Sequence, residues 1–110
     1  MEDRTVVARS LASGLAYLFW VTGQGRGSYV RLSPDGTTFG TGPRADTRLD
    51  DEFAAGEQGR IRREGEDWFL YDLAGGGTTM IDNQAVYRSG LSDGARVTLG
   101  RSVAVFRIVE

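Results

Sequence analysis

Arginine supplies every basic side chain of this 110-residue sequence, thirteen of them from Arg4 to Arg107, and there is no lysine, histidine or cysteine. Those absences decide much of the available chemistry. Without cysteine there is no disulfide, thiolate metal site or cysteine nucleophile. Without histidine, ordinary zinc, copper and iron sites and most serine-type triads are lost. Without lysine there is neither a Schiff base nor a phosphate-loop ammonium. Carboxylates remain as metal ligands, but Asp50-Asp51-Glu52 is a run of adjacent acids of the kind that loops present to solvent, so no metal is expected. Gly23, Gly25 and Gly27 alternate rather than following the dinucleotide spacing, and a strand follows them instead of a helix. Gly75-Gly76-Gly77 lacks the following helix of a phosphate cradle and reads as a flexible loop. Arg60, Arg62 and Arg63 cluster on one strand, where Arg60 and Arg62 share a face with Glu64 and form a solvated, ion-paired surface. The chain reads as a non-enzyme without a cofactor.

The net charge of −2, with arginines spread along the chain, is a poor nucleic-acid footprint. The first residues are acidic before any apolar one, the wrong order for a secretory signal. Leu15 to Val21, the longest apolar run, is about a third of a membrane span. A soluble, cytoplasmic protein without a membrane segment is expected.

The elements that position these residues are short strands. Sixteen glycines and two prolines punctuate brief apolar runs, the rhythm of strands closed by tight turns. Leu15 to Val21 is apolar on both faces, which suits a central strand. It turns through Gly23 to Ser28 into Tyr29 to Leu32, with Val30 and Leu32 inward and Tyr29 and Arg31 outward. Pro34-Asp35-Gly36 is a turn, and Thr37 to Gly40 is a strand. After an irregular stretch from Thr41 to Gly59, Arg60 to Glu64 and Trp68 to Leu73 form a second hairpin. Strands follow at Thr79 to Ile81, Ala85 to Tyr87, Arg96 to Leu99 and Val103 to Val109. Glu2 to Ser13 and Asp50 to Gln58 lack the stripe and length of stable helices. Tyr17, Phe19, Trp20, Trp68, Phe69, Tyr71 and Phe106 are read as core. The sum is an all-β, two-sheet antiparallel β-sandwich of about 10–11 short strands spanning residues 15–110, preceded by an arm over 1–14.

From about Leu18 onward the order of turns and strands resembles a forkhead-associated (FHA) domain, a SMAD-like sandwich whose end loops bind phosphothreonine peptides. Phe39-Gly40 ends a strand where the family has an apolar residue and Gly-Arg. Leu49-Asp50-Asp51 leads toward its Ser-x-x-His segment, with Ile61 following. Asp72-Leu73 precedes its Ser-Thr-Asn-Gly-Thr loop, and Leu91 to Gly94 with Leu99-Gly100 matches the last turn. The arm with Thr5 resembles the short arms before some bacterial FHA domains, where Thr5 is a candidate for phosphorylation or the arm for an added strand.

The peptide site that the resemblance implies falls on Thr41, Arg44, Ala55, Gln58, Gly76, Gly77 and Thr78. Here the family's arginine is Thr41, its serine Ala55, its histidine Gln58 and its asparagine Gly77, with Thr78 for the next glycine and only Thr79 kept. A dianionic phosphate needs charge-assisted donors worth ~1.5–3 kcal/mol each, and these positions have lost them. The expected function is protein–protein interaction or assembly without phosphate, with a protein or peptide partner. The alternatives are a phosphopeptide binder using relocated arginines, Arg44 assisted by Arg48 or Arg60, and a purely structural domain of a larger protein. Arg44 is otherwise expected to pair with Asp46 in solvent.

Overall fold

Alternating burial is the pattern from which the sandwich is built. The computed structural model describes residues 15–23 and 25–109, so the expected arm over 1–14, including Thr5, lies outside the described residues. Eleven strands are present among the described residues: β1 (Leu15–Trp20), β2 (Tyr29–Arg31), β3 (Thr37–Gly40), β4 (Thr47–Arg48), β5 (Gly59–Glu64), β6 (Asp67–Asp72), β7 (Thr79–Ile81), β8 (Gln84–Ala85), β9 (Arg88–Leu91), β10 (Arg96–Leu99) and β11 (Ser102–Val109). One sheet runs β2-β1-β11-β10-β7-β8 and the other β4-β3-β5-β6-β9. Every second side chain faces the opposite sheet. Ala16, Leu18, Val97, Leu99, Ala104 and Phe106 from the first sheet meet Phe39, Ile61, Trp68, Leu70 and Leu91 from the second, all buried. Trp68 and Phe106 approach with ring centroids 6.2 Å apart across this interface.

The all-β sandwich is as the sequence indicates, with four differences. First, the pairing is not wholly antiparallel, because β3 and β4 run parallel with Phe39 beside Thr47 and Gly40 beside Arg48. The Asp46 carboxylate accepts the Thr38 amide at 2.8 Å, so this acid holds the loop to β3 rather than serving Arg44. Second, β4 lies inside the stretch read as irregular, too short to show a period. Third, the run Ala85 to Tyr87 is mostly a crossover. Asp82 and Asn83 at φ 49° and 68° form the turn that pairs β7 with β8. The chain then leaves for the other sheet, where β9 pairs with β6, and Tyr87 between them is 86% exposed.

Fourth, the aromatics divide between core and surface. Trp68 and Phe106 are fully enclosed, and Trp20 packs against Phe39. Tyr17, Phe19 and Tyr29 instead form a triangle on the outer face of the first sheet, with centroids 5.5–6.1 Å apart. β1 is therefore interior to its sheet but covered on one face only. Phe69 and Tyr71 lie on the outer face of the second sheet, where the Arg88 guanidinium sits 4.1 Å from the Phe69 centroid. There Glu64 takes Arg62 at 3.2 Å, Arg88 at 2.8 Å and the Tyr71 hydroxyl. Arg60 does not join them and donates to the Asp35 carbonyl at 2.8 Å. In urea denaturation, Phe106→Ala is expected to cost ~3–5 kcal/mol through lost burial and a cavity, whereas Phe19→Ala costs about 1 kcal/mol from its aromatic neighbours. Equal losses would contradict this division.

Candidate functional site

The loops around the candidate residues are held together by backbone contact before any side chain contributes. β3 ends at Gly40, where an added Cβ would lie 2.0 Å from the Gly56 carbonyl oxygen. Only glycine permits that approach. It lets Thr41 and Gly42 donate their amides to Ala55 and Gly56, each at 3.0 Å, while Gln58 donates its amide to Phe39 at 2.8 Å. The loops after β3 and before β5 are thereby zipped side by side.

Gln58 then ties this pair to the loop before β7. Its side chain is completely buried. Its Oε1 accepts the Ala55 amide at 2.8 Å, and its Nε2 donates to the hydroxyls of Thr78 at 2.9 Å and Thr79 at 2.8 Å. A primary amide offers an acceptor and two donors at once, and all are used. The Asp72 carboxylate organises this same loop, accepting from the amides of Ala74 and Gly75 and the Thr79 hydroxyl at 3.1, 2.8 and 2.8 Å. Gly75, Gly76 and Gly77 all have φ between 73° and 77°, a left-handed run that side chains disfavour.

A second acid braces the outside. Asp51 accepts from the Phe53 and Arg101 amides, each at 2.8 Å, and from the Ser102 hydroxyl at 2.7 Å. The Arg101 guanidinium lies 3.6 Å from the Phe53 ring centroid. Partial desolvation works against the Asp51 charge, but the Ser102 hydroxyl and the Arg101, Phe53 and Ser102 amides outweigh it and hold the carboxyl below its ordinary value of 3.8.

Thr41, Ala55, Gln58 and Thr78 thus come together as one hydrogen-bonded clasp, with Gln58 beneath the surface. Arg44 is exposed and borders a hollow of about 200 Å³ shared with Gly42, Pro43, Gly56 and Glu57. Gly76 and Gly77 are exposed on the loop that also carries Thr78 and is braced by Asp72. Asp51, Ser102 and Glu57 are the participants missed in the sequence. Nothing in the run Asp50-Asp51-Glu52 distinguishes the acid that turns inward, and two of its partners, Arg101 and Ser102, lie some fifty positions away in the chain. Among the described residues, no group of acids is arranged to hold a metal ion, and no helix is long and apolar enough to cross a membrane.

Two packed sheets with loops cross-braced at one end define the class of this fold, a β-sandwich. The family model for the FHA domain matches residues 37–100, and the chain belongs to the FHA family. Among solved structures, an FHA domain studied for phosphothreonine-dependent interactions is 29% identical, with a TM-score of 0.76, covering 86% of this chain and 96% of its own. The FhaA FHA domain, solved with the intracellular domain of Rv3910, is 28% identical at a TM-score of 0.73 and covers 84% and 99%. The cytoplasmic domain of PscD, a type III secretion sorting-platform protein of P. aeruginosa, is 25% identical at 0.74 and covers 84% and 79%. The comparison with curated proteins finds no match.

Two substitutions test the braces. Gln58→His places an imidazole where one ring nitrogen must accept the Ala55 amide, so burial and that donor push its pKa below the usual ~6.5. The folded state then binds fewer protons. The variant's stability is expected to be retained above pH ~6.5 and to fall as pH drops through the lowered value, a slope that wild-type melts lack in that range. Asp51→Asn should remove ~0.5–1.5 kcal/mol at neutral pH, since water can reach the donors it leaves. Because the Asp51 pKa is depressed on folding, its contribution is present above the unfolded value and lost as pH falls through the folded one. The variant's acid limb below about pH 4 should therefore be shallower in pH-dependent urea titrations.

Proposed function

We propose that this FHA domain is a protein-interaction or assembly module whose loop end engages its partner without requiring phosphate. The observation that carries the reading is the hollow beside Gly42 and Gly56, where Glu57 stands alongside Arg44. A carboxylate on the wall opposes a dianion and offsets the one guanidinium there. At the positions where the family's phosphate and peptide contacts are expected, Thr41, Ala55 and Gly77 bring no guanidinium, hydroxymethyl or carboxamide equivalent to those lost. The clasp built by Gln58 keeps the loops shaped for contact. The walls suit a peptide segment carrying paired opposite charges, or a protein surface of that kind. A similar fold that serves in a secretion sorting platform supports an assembly role, while an FHA relative described by phosphothreonine-dependent interactions bears on the second reading below.

Arg44 at the rim favours one second reading, a phosphopeptide binder using this relocated arginine. Calorimetry with phosphorylated and unphosphorylated threonine peptides separates the two. Phosphothreonine peptides are expected to bind more weakly than ~100 μM, with no preference over their unphosphorylated counterparts. A low-micromolar, phosphate-dependent interaction that disappears in Arg44→Ala would establish the second reading instead. The combination Thr41→Arg, Ala55→Ser, Gln58→His and Gly77→Asn should gain at least tenfold in phosphothreonine binding, about 1.4 kcal/mol. Asparagine is among the few residues that tolerate the left-handed φ of 77° at position 77. A folded quadruple variant with no gain would refute the correspondence of these positions.

A further inference from the structure

The first sheet has an open edge built differently from the loop end. β2 is its outermost strand on that side. The Trp20 amide donates to Ser28 and the Leu32 amide to Ala16, each at 2.9 Å, which fixes the phase of the β1–β2 ladder. With Leu18 opposite Val30, Val30 turns its peptide groups to β1, and Tyr29 and Arg31 turn theirs out of the sheet. An outward row of peptide groups is a template for another strand.

Both sides of that edge are prepared for side chains. On the inner side, a groove of about 370 Å³ opens between β2 and β4, the edge strand of the other sheet, with Trp20, Val30 and Leu49 among its walls and Thr47, Arg48 and Asp50 along it. On the outer side, Tyr29 is 62% exposed and belongs to the aromatic triangle with Tyr17 and Phe19. Arg31 is exposed there, and no carboxylate of the described residues forms an ion pair with it.

We propose that the β2 edge docks an extended, unphosphorylated peptide segment of a partner, added as a further strand with aliphatic side chains in the groove and an acidic residue beside Arg31. Backbone pairing supplies attachment, and the alternating inner and outer side chains supply selection. Arg48 and Asp50 present opposite charges to the groove, so a neutral inner side chain fits it. The unpaired Arg31 asks for an acid on the outer face. A second copy fits less well, because the inward residue its own β2 could offer is Val30, already packed against its own core. The groove meets the Asp51 brace at Ser102 but uses none of Thr41, Ala55, Gln58 or Thr78, so the proposal does not rest on how the loop end is used.

The test uses two short unphosphorylated peptides, one alternating valine with glutamate and one alternating valine with arginine, titrated into the protein and followed by amide hydrogen exchange in NMR. The glutamate peptide is expected to bind at least ~tenfold more tightly and to slow exchange selectively at the Tyr29 and Arg31 amides. Arg31→Pro deletes one outward donor at an edge position that tolerates proline, so it should fold and lose binding, whereas Arg31→Ala should keep strand addition but lose the preference for glutamate. No binding of either peptide at about 1 mM, binding without protection at Tyr29 and Arg31, undiminished binding to a folded Arg31→Pro, or self-association through β2 would each overturn the proposal. The protection pattern is read on the wild-type protein, so the result stands whether or not the proline variant folds.

Discussion

A buried amide with no route to water must find every partner inside the protein, and the loop end is arranged around that requirement. Gln58 is completely enclosed, and its carbonyl and amino groups reach Ala55, Thr78 and Thr79. Leaving one of these groups unmade would cost ~1–3 kcal/mol. Once all are made, the segment before β5 cannot shift without carrying the loop before β7 with it. The Leu73 amide, which donates to the Gln58 carbonyl at 3.0 Å, closes the same circuit from the backbone.

Two further constraints let that clasp form. The Gly40 approach to Gly56 brings the loop after β3 close enough to share its amides. Asp72 and the three left-handed glycines place Thr78 and Thr79 within reach of Nε2. Asp51 adds the turn between β10 and β11 to the assembly through Arg101 and Ser102. Glycines, buried hydroxyls and acids hold the loops, and Arg44, Gly76 and Gly77 are left exposed on them. Gln58, bonded to Ala55, Thr78 and Thr79, is the side chain that braces these loops here.

The surfaces follow a similar logic. Outer-face side chains of both sheets are neither core nor uniformly polar. On the second sheet Arg88 and Arg62 are consumed by Glu64 and by aromatic faces. On the first, Arg107 is held by Asp93 at 2.9 Å, and Arg31 stands next to the exposed aromatic triangle at an open edge. Charge on the sheets is distributed by local pairing rather than massed into one patch.

The sequence by itself determined the strands whose signals are local. Alternation placed Val30 and Leu32 inward, Thr37 to Gly40, Thr79 to Ile81 and Arg96 to Leu99 were legible as strands, and the order of motifs from Phe39 to Gly100 carried the family. The absence of lysine, histidine and cysteine limited the chemistry before any fold was known. Tertiary structure decided whatever depended on residues distant in the chain. Alternation gives a side chain's face but not whether a second layer covers it, so Phe19 and Phe69 were read as core while Phe106 alone of these three is enclosed. β4 and β9 exist because neighbouring strands accept them, through Phe39 beside Thr47 and Tyr71 beside Arg88, and Thr-Arg and Arg-Ser-Gly-Leu carry no apolar alternation of their own. Asp51 became a brace and Glu57 a wall of the hollow for the same reason: a carboxylate's role is set by which donors and charges the fold brings to it, and those come from elsewhere in the chain.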